Sequence, residues 1–232
     1  MPRFRVEFAK GDEVRFLSHL DVMKAFERAI RRAEIPIAFS EGFNPHPKMN
    51  FASALAVGVT SDGEFMDIEL KHNMQAVEVV RMLAKALPPG LNVKAGREVP
   101  DHAPSLMSEV NRAVYHVIAN LKNTVEPGLI TDELARFLGQ NEIIISKRTK
   151  KGIKPKDIKP GILGVEVLTE QNTLRFTIMT KTGSEGNVRP EEVVAAYAKY
   201  SGLPIDCDSL YIRRSGLYVE KSGKLISPMD LA

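Results

Sequence analysis

A loop punctuated by prolines carries the residues best suited to chemistry in this 232-residue chain. Asn44, His46 and Lys48 alternate along it, so three polar side chains are expected on one side. Pro45 and Pro47 fix their own φ angles and restrict the residues before them, which stiffens the loop. A rigid loop bearing these groups suits phosphate contact or acid–base work near pH 7. The alternative is a structural corner in which His46 bonds a backbone carbonyl.

His19 is the second candidate for acid–base work. Ser18 is a good helix N-cap and Asp21 follows in capping-box position, so His19 is predicted just inside a helix, where the dipole disfavours a charged imidazole. His116 lies in an apolar strand and is predicted to be buried. The histidines have no metal-ligand spacing, and no Walker A loop or nucleophile elbow is present, so no metal or cofactor is predicted.

The excess positive charge is concentrated between Ser146 and Lys159. This stretch carries seven basic residues and one acid, so its +6 exceeds the +3 of the whole chain and leaves the rest at −3. Gly152 and Pro155 favour an exposed loop or hairpin over a helix. We expect it to contact phosphates, those of RNA; the alternative is a solvated loop without a partner. The basic residues are Lys147, Arg148, Lys150, Lys151, Lys154, Lys156 and Lys159.

A glycine-bearing loop before a late helix is a further candidate for anion binding. Gly183 and Gly186 precede Pro190, which is predicted to occupy the first helical position. Backbone amides in such a turn can hold an anion, and Arg189 is the residue expected to touch it. The alternative is an ordinary loop between a strand and a helix.

Two successive β-α-β-β-α-β patterns position these residues. Phe4, Val6 and Phe8 alternate with polar residues, which predicts a half-buried strand. The helix after Ser18 has an apolar stripe and, opposite to it, a basic face. We interpret the basic face as solvated; the alternative is a binding surface. The face carries Lys24, Arg28, Arg31 and Arg32. In the second half, Thr131 is predicted to cap a helix, and 210–214 and 217–221 are predicted to form a hairpin.

The predicted fold is α+β, with two tandem ferredoxin-like (βαββαβ) units packed together. The first unit covers 1–100 with the His46 loop, residues 101–109 form a linker, and the second unit covers 110–232 with the basic loop 146–159. The single cysteine, Cys207, excludes an internal disulfide, and no run approaches ~18 apolar residues. With no apolar region typical of a secretory signal, a cytoplasmic protein without a membrane span is expected.

Three segments resemble one bacterial family. They read RFLSHLDVMKAFERAIRRAEIPIAFSEGFNPHPKM, LAVGVTSDGEFMDIEL and EGNVRPEEV. They resemble the radical-SAM-linked proteins, which occur beside or fused to radical-SAM proteins and often near RNA-processing genes. The resemblance implies a radical-SAM partner and work on RNA or the ribosome. The positions that carry it over are Ser18, His19, Asp21, Asn44, His46, Lys48, Arg189 and Pro190.

The predicted function is an RNA-binding accessory module that works with a radical-SAM partner in RNA or ribosome modification. The chain lacks a Cys-x-x-x-Cys-x-x-Cys motif, so it is not itself the radical-SAM enzyme. One alternative is a metal-independent ribonuclease or RNA-modifying enzyme that uses His46. Paired ferredoxin-like units are also similar to the repeat-associated ribonucleases of CRISPR systems, at the level of fold alone. The other alternative is a protein-interaction domain without nucleic acid.

Overall fold

The structure is a computed structural model that describes residues 1–100, 102–149 and 152–231. The chain is α+β, as predicted. Its helices are α1 (His19–Arg32), α2 (Ala76–Ala86), α3 (Leu106–Glu109), α4 (Pro127–Leu138) and α5 (Pro190–Ser201). Its strands are β1 (Arg3–Lys10), β2 (Met49–Phe51), β3 (Val59–Glu69), β4 (Leu91–Val99), β5 (Arg112–Asn120), β6 (Ile144–Thr149), β7 (Gly152–Asp157), β8 (Ile162–Glu170), β9 (Thr173–Lys181), β10 (Tyr211–Lys221) and β11 (Lys224–Ile226).

The chain forms two compact units, Met1–Arg112 with Arg214–Ala232, and Ala113–Arg213. The boundaries therefore fall within β5 and β10. This division differs from the predicted one, because residues 214–232 return to the first unit and the predicted linker 101–109 also belongs to it. No helix in the described ranges combines the length and the hydropathy that crossing a membrane requires.

The first unit has the predicted β-α-β-β-α-β order. Strand β1 lies between β4 and β3, both antiparallel to it, and β2 pairs with β3. Phe4, Val6 and Phe8 point to one side of β1 and form a single core with apolar residues of α1 and α2. Both helices therefore cover the same face of the sheet.

Local signals explain where α1 and α5 begin and end. The Ser18 hydroxyl accepts a hydrogen bond from Asp21 N at 3.2 Å, and the Asp21 carboxylate accepts one from Ser18 N at 3.2 Å. This is the predicted capping box. Helix α5 begins at Pro190, and Gly202 follows its end with φ 67°, the left-handed region that glycine adopts without a Cβ penalty.

The second unit repeats the strand order with one insertion. Its strands follow the order β10-β5-β9-β8, with only the first residues of β10 in this unit, and β6 and β7 form a separate two-stranded sheet. Tyr197 of α5 is a centre of its core. The Tyr197 ring lies 5.6 Å from Phe137 of α4 and 6.1 Å from Phe176 of β9, and its hydroxyl donates to Ile130 O at 2.6 Å. Burial raises the pKa of Tyr197 to about 12.

Three local predictions were wrong. Helix α4 begins earlier than Thr131, whose hydroxyl instead donates to Pro127 O within the helix at 3.0 Å. His116 is exposed, because the alternation of β5 buries Tyr115 and Val117 on the other face. Residues 210–221 form no hairpin, since β10 runs unbroken through Gly216.

Gly216 has a packing role rather than a turn role. A Cβ on Gly63 of β3 would lie 3.3 Å from the Gly216 Cα, so the two strands approach closely where neither has a side chain. The chain turns only after β10, and β11 then pairs with β10 in an antiparallel hairpin.

Candidate nucleic-acid interface

The predicted basic loop is the β6–β7 hairpin. Lys147, Arg148 and Lys154 are exposed on it. Lys147 lies directly opposite Lys154 in the antiparallel register. Like charges in directly opposed positions destabilise a sheet, and two isolated strands are at best marginally stable in water. The hairpin therefore concentrates unfavourable positive charge at an exposed site.

Two other lysines of the segment attach the hairpin to the helices of the second unit. Lys156 Nζ donates to Asn187 O at 2.8 Å and to Glu192 Oε2 at 2.9 Å. Lys159 Nζ donates to Leu138 O at the end of α4. These two charges are used within the protein, whereas Lys150 and Lys151 lie outside the described residues.

Arg189 is the N-cap residue of α5, and acids surround it. Its backbone N donates to Glu192 Oε2 at 3.2 Å, and its Nη1 lies 3.8 Å from Glu191 Oε1. In the preceding loop, the Gly186 and Val188 amides donate to carbonyls of Gly183 and Lys181 at 3.4 and 3.3 Å. The loop thus uses two of the amides that an anion nest would need.

The His46 loop is closed by hydrogen bonds to one serine. Ser40 N donates to His46 O at 2.8 Å, and His46 N donates to Ser40 Oγ at 2.9 Å. Phe39 and Pro47 form an antiparallel bridge just outside this pair. Asn44 and His46 are exposed, so the loop presents both side chains to solvent.

Lys48 does not join Asn44 and His46. Its Nζ donates to Glu69 Oε2 at 2.8 Å, and this hydrogen bond, with the attraction of the Glu69 charge, raises the pKa of Lys48. Lys48 therefore holds the base of the loop to the end of β3. The alternation of Asn44, His46 and Lys48 did not predict this acidic partner of Lys48.

His19 is half-buried in different surroundings. Its ring meets the Phe51 ring edge-on at 5.3 Å. Burial lowers the pKa of His19, and the charges of Arg214 and Lys10 lower it further, while Glu64 opposes them. The imidazole is therefore held toward its neutral form, which can accept a proton only at reduced pH.

Sequence reasoning missed a groove of about 530 Å³ in the first unit. Its floor is formed by Ile30, Ile35 and Ile37, which are buried. Lys24, Arg28 and Arg31 of α1 form a basic wall of the groove. The rest of the lining is Glu27, Glu34, Pro36, Phe39, Pro47 and Lys71. The basic stripe was visible as a helix face, but the sequence gave no indication that residues 35–39 and 71 pack beside it.

One buried ion pair joins β1 to β3, and a second joins β3 to β10. Arg5 donates from Nε and Nη2 to Asp67 at 2.8 and 3.0 Å, and from Nη1 to Pro228 O at 2.8 Å. Arg214 forms a second buried pair with Glu64. Their donors and acceptors are satisfied inside the first unit, which makes them structural groups.

Lys10 is also buried and used by the backbone. Its Nζ donates to Arg15 O at 2.8 Å and Leu17 O at 2.9 Å, the carbonyls that precede α1. Burial lowers the pKa of Lys10. Among the residues that the structure describes, no group of three or more His, Cys, Asp or Glu side chains is arranged to hold a metal ion.

The sequence model of one protein family matches residues 3–190. The chain belongs to this family, DUF2344, described as an uncharacterised protein conserved in bacteria. Comparison with curated proteins finds no match.

One solved structure shares the fold at low sequence identity. A chain of the Cbf5–Nop10–Gar1 complex is 13% identical with a TM-score of 0.56, over 99% of this chain and 53% of that one. Two further matches are the archaeal box H/ACA sRNP Nop10–Cbf5 complex (11% identity, TM-score 0.46, 90% and 46% covered) and an H/ACA RNP bound to a substrate RNA containing 2′-deoxyuridine (12%, 0.47, 94% and 47%). This chain spans about half the length of each.

Proposed function

We propose that this protein is an RNA-binding module whose β6–β7 hairpin contacts the phosphate backbone. The observation that carries the proposal is the exposed pairing of Lys147 with Lys154, next to Arg148. Such a pairing costs stability in the free protein, and a polyanion placed against it turns the repulsion into attraction. The contact is expected to be independent of base sequence, because phosphates carry no sequence information.

Anchoring of the hairpin supports a binding role. Lys156 and Lys159 fix the hairpin to α4 and α5, so the outer cations project from a secured base. Ordering the hairpin on binding then costs less conformational entropy than ordering an unattached loop would. RNA is the preferred polyanion because of the sequence resemblance to radical-SAM-linked proteins, whose members occur near RNA-processing genes.

Binding is favoured over catalysis at the His46 loop. His46 is exposed and Lys48 is engaged by Glu69, so a general base with a second positioned group is lacking there among the described side chains. The radical-SAM partner and a cytoplasmic location, both inferred from sequence, complete the proposal. In it, this protein presents RNA and the partner performs the chemistry.

The test measures RNA affinity as a function of salt. The hairpin variant carries Lys147→Gln, Arg148→Gln and Lys154→Gln, and the control carries Lys85→Gln, Lys122→Gln and Lys224→Gln, three exposed lysines elsewhere. In fluorescence anisotropy, each lost phosphate contact lowers the slope of log affinity against log salt by about 0.7 for a single strand. The hairpin variant should lose about 2 in slope. If the hairpin variant and the control variant both have the slope of the wild type, the proposal is refuted.

A further inference from the structure

The groove of the first unit has a basic wall made by a regular stripe. Lys24, Arg28 and Arg31 are spaced by four and three residues, so they lie on one face of α1. Across the described chain, no ion pair involves any of the three, and all are exposed. Glu27 and Glu34 also line the groove, so its four basic side chains outnumber its acids by two.

Another part of the groove lining pairs an aromatic ring with a cation. Phe39 is 45% exposed, although its neighbour Ile37 is buried in the floor. Lys71 Nζ lies 6.0 Å from the centre of the Phe39 ring. Lys71 N donates to Pro36 O at 2.8 Å, which fixes the 36–39 segment beside the end of β3. An aromatic face next to a cation is therefore held in place at the groove.

A second aromatic ring lies on the loop that leaves the groove. The loop begins and ends at two lining residues, Phe39 and Pro47, which bridge each other. Phe43, at its tip, is fully exposed. The reciprocal bonds between Ser40 and His46 keep the loop compact, so this ring stands on a closed hairpin-like turn.

Aromatic faces combined with a basic track are the features that bind single strands of nucleic acid. Bases stack on aromatic rings, while lysines and arginines follow the backbone phosphates. The groove volume of about 530 Å³ falls within the range of small-ligand sites, and its floor is apolar with charge confined to the walls. An unpaired nucleotide matches both the floor and the walls.

We infer that this groove binds unpaired nucleotides of RNA, with Phe39 and Phe43 stacking on bases and the stripe Lys24–Arg28–Arg31 contacting phosphates. The inference rests on the proposed function and adds the class of RNA: single-stranded segments, as distinct from duplex. A paired helix keeps its bases stacked on each other, so they are not available to Phe39 and Phe43.

The experiment compares two RNA probes with two sets of variants. The probes are a labelled oligoadenylate of about 10 nucleotides and a blunt RNA duplex of the same length. The stacking variant is Phe39→Ala with Phe43→Ala, and the track variant is Lys24→Gln with Arg28→Gln and Arg31→Gln. Phe16→Ala removes a ring outside the groove whose exposure, 71%, lies between those of Phe39 and Phe43, and it serves as the control. Thermal melting checks that each variant folds.

The stacking variant should bind oligoadenylate at least about 30-fold more weakly, because it removes two rings and the loss of each stacked base weakens binding at least about fivefold. Its affinity for the duplex and the behaviour of Phe16→Ala should be unchanged. The track variant should lower the salt slope for oligoadenylate.

The outcomes separate this inference from the proposed function. If hairpin variants weaken RNA binding while groove variants do not, the groove inference fails and the proposed function stands. If the wild-type protein binds neither probe, both fail. If oligoglutamate binds and the groove variants weaken only that binding, the groove is a site for an acidic protein segment and the inference is overturned.

Discussion

Glu192 links the basic hairpin to the start of α5 through Lys156. The Glu192 Oε2 atom accepts from Lys156 Nζ at 2.9 Å and from the Arg189 backbone N at 3.2 Å. One carboxylate oxygen thus serves both the helix cap and the hairpin. The basic segment therefore contains two kinds of cation. Lys156 is structural, whereas Lys147, Arg148 and Lys154 are exposed and available to a ligand.

Lys154→Glu should separate stability from RNA binding. The substitution puts opposite charges across the β6–β7 ladder, which should stabilise the hairpin by about 0.2–1 kcal/mol. RNA affinity should fall because a phosphate contact is replaced by a repulsive charge. Urea unfolding and anisotropy measure the two effects. Lys156→Gln is the contrasting variant: it should lower stability while leaving the salt slope closer to that of the wild type. Tighter RNA binding by Lys154→Glu would contradict the role of the hairpin.

His46→Ala should leave the free energy of unfolding within about 0.5 kcal/mol of the wild type. The imidazole is exposed, and the loop is closed by the backbone of His46 and by Ser40. Incubation of both proteins with labelled RNA and a metal chelator should give no cleavage. Cleavage by the wild type that is lost in His46→Ala would instead establish the ribonuclease alternative. Ser40→Ala, which removes the hydroxyl acceptor, is the control for loop structure.

His19 should make stability fall in mild acid. Burial lowers the pKa of His19 in the folded protein below the ordinary histidine value of 6.5. Below about pH 6.5 the unfolded chain binds a proton that the folded chain resists. The free energy of unfolding therefore falls as the pH drops from about 6.5 through the folded pKa, and this component is constant above about pH 6.5. Urea unfolding of His19→Gln should lack this component. An NMR titration that places the His19 pKa above 6.5 would reverse the sign and contradict the prediction.

Asp67→Ala should destabilise the first unit by about 3–5 kcal/mol, because it leaves the buried Arg5 guanidinium without its carboxylate. The double variant Arg5→Met with Asp67→Leu should recover part of this loss, since an apolar pair leaves no buried charge. Urea unfolding compares the two. A double variant less stable than Asp67→Ala would show that the pair contributes more than mutual neutralisation.

Local patterns predicted most of the elements, but they could not predict contacts between residues far apart in the sequence. Ser18 and Asp21 identify the start of α1 because the capping box is complete within four residues. Thr131 was misinterpreted because a threonine inside a helix can bond the preceding turn as well as cap it. Alternation also placed Arg5 on a polar face, yet it is only 2% exposed. Its guanidinium donates to the carbonyl of Pro228, which lies 223 positions further along the chain. No local pattern of residues can reveal that contact.

The groove shows the same limit. Its basic stripe lies within one helix and could be identified from spacing, but its aromatic side depends on residues 36–39 folding against the end of β3. That arrangement decides whether the stripe is a solvated face or the wall of a site.

The hydrogen bond from Arg5 to Pro228 spans 223 positions of the chain. At a synthesis rate of about 5–20 residues per second, Pro228 is added roughly 10–45 s after Arg5. The unit formed by Ala113–Arg213 is continuous and is fully translated before the last segment of the first unit exists. Completion of the two units on the ribosome is thus inverted: the second in sequence can finish first, and the charged Arg5 side chain depends on Asp67 alone in the interval.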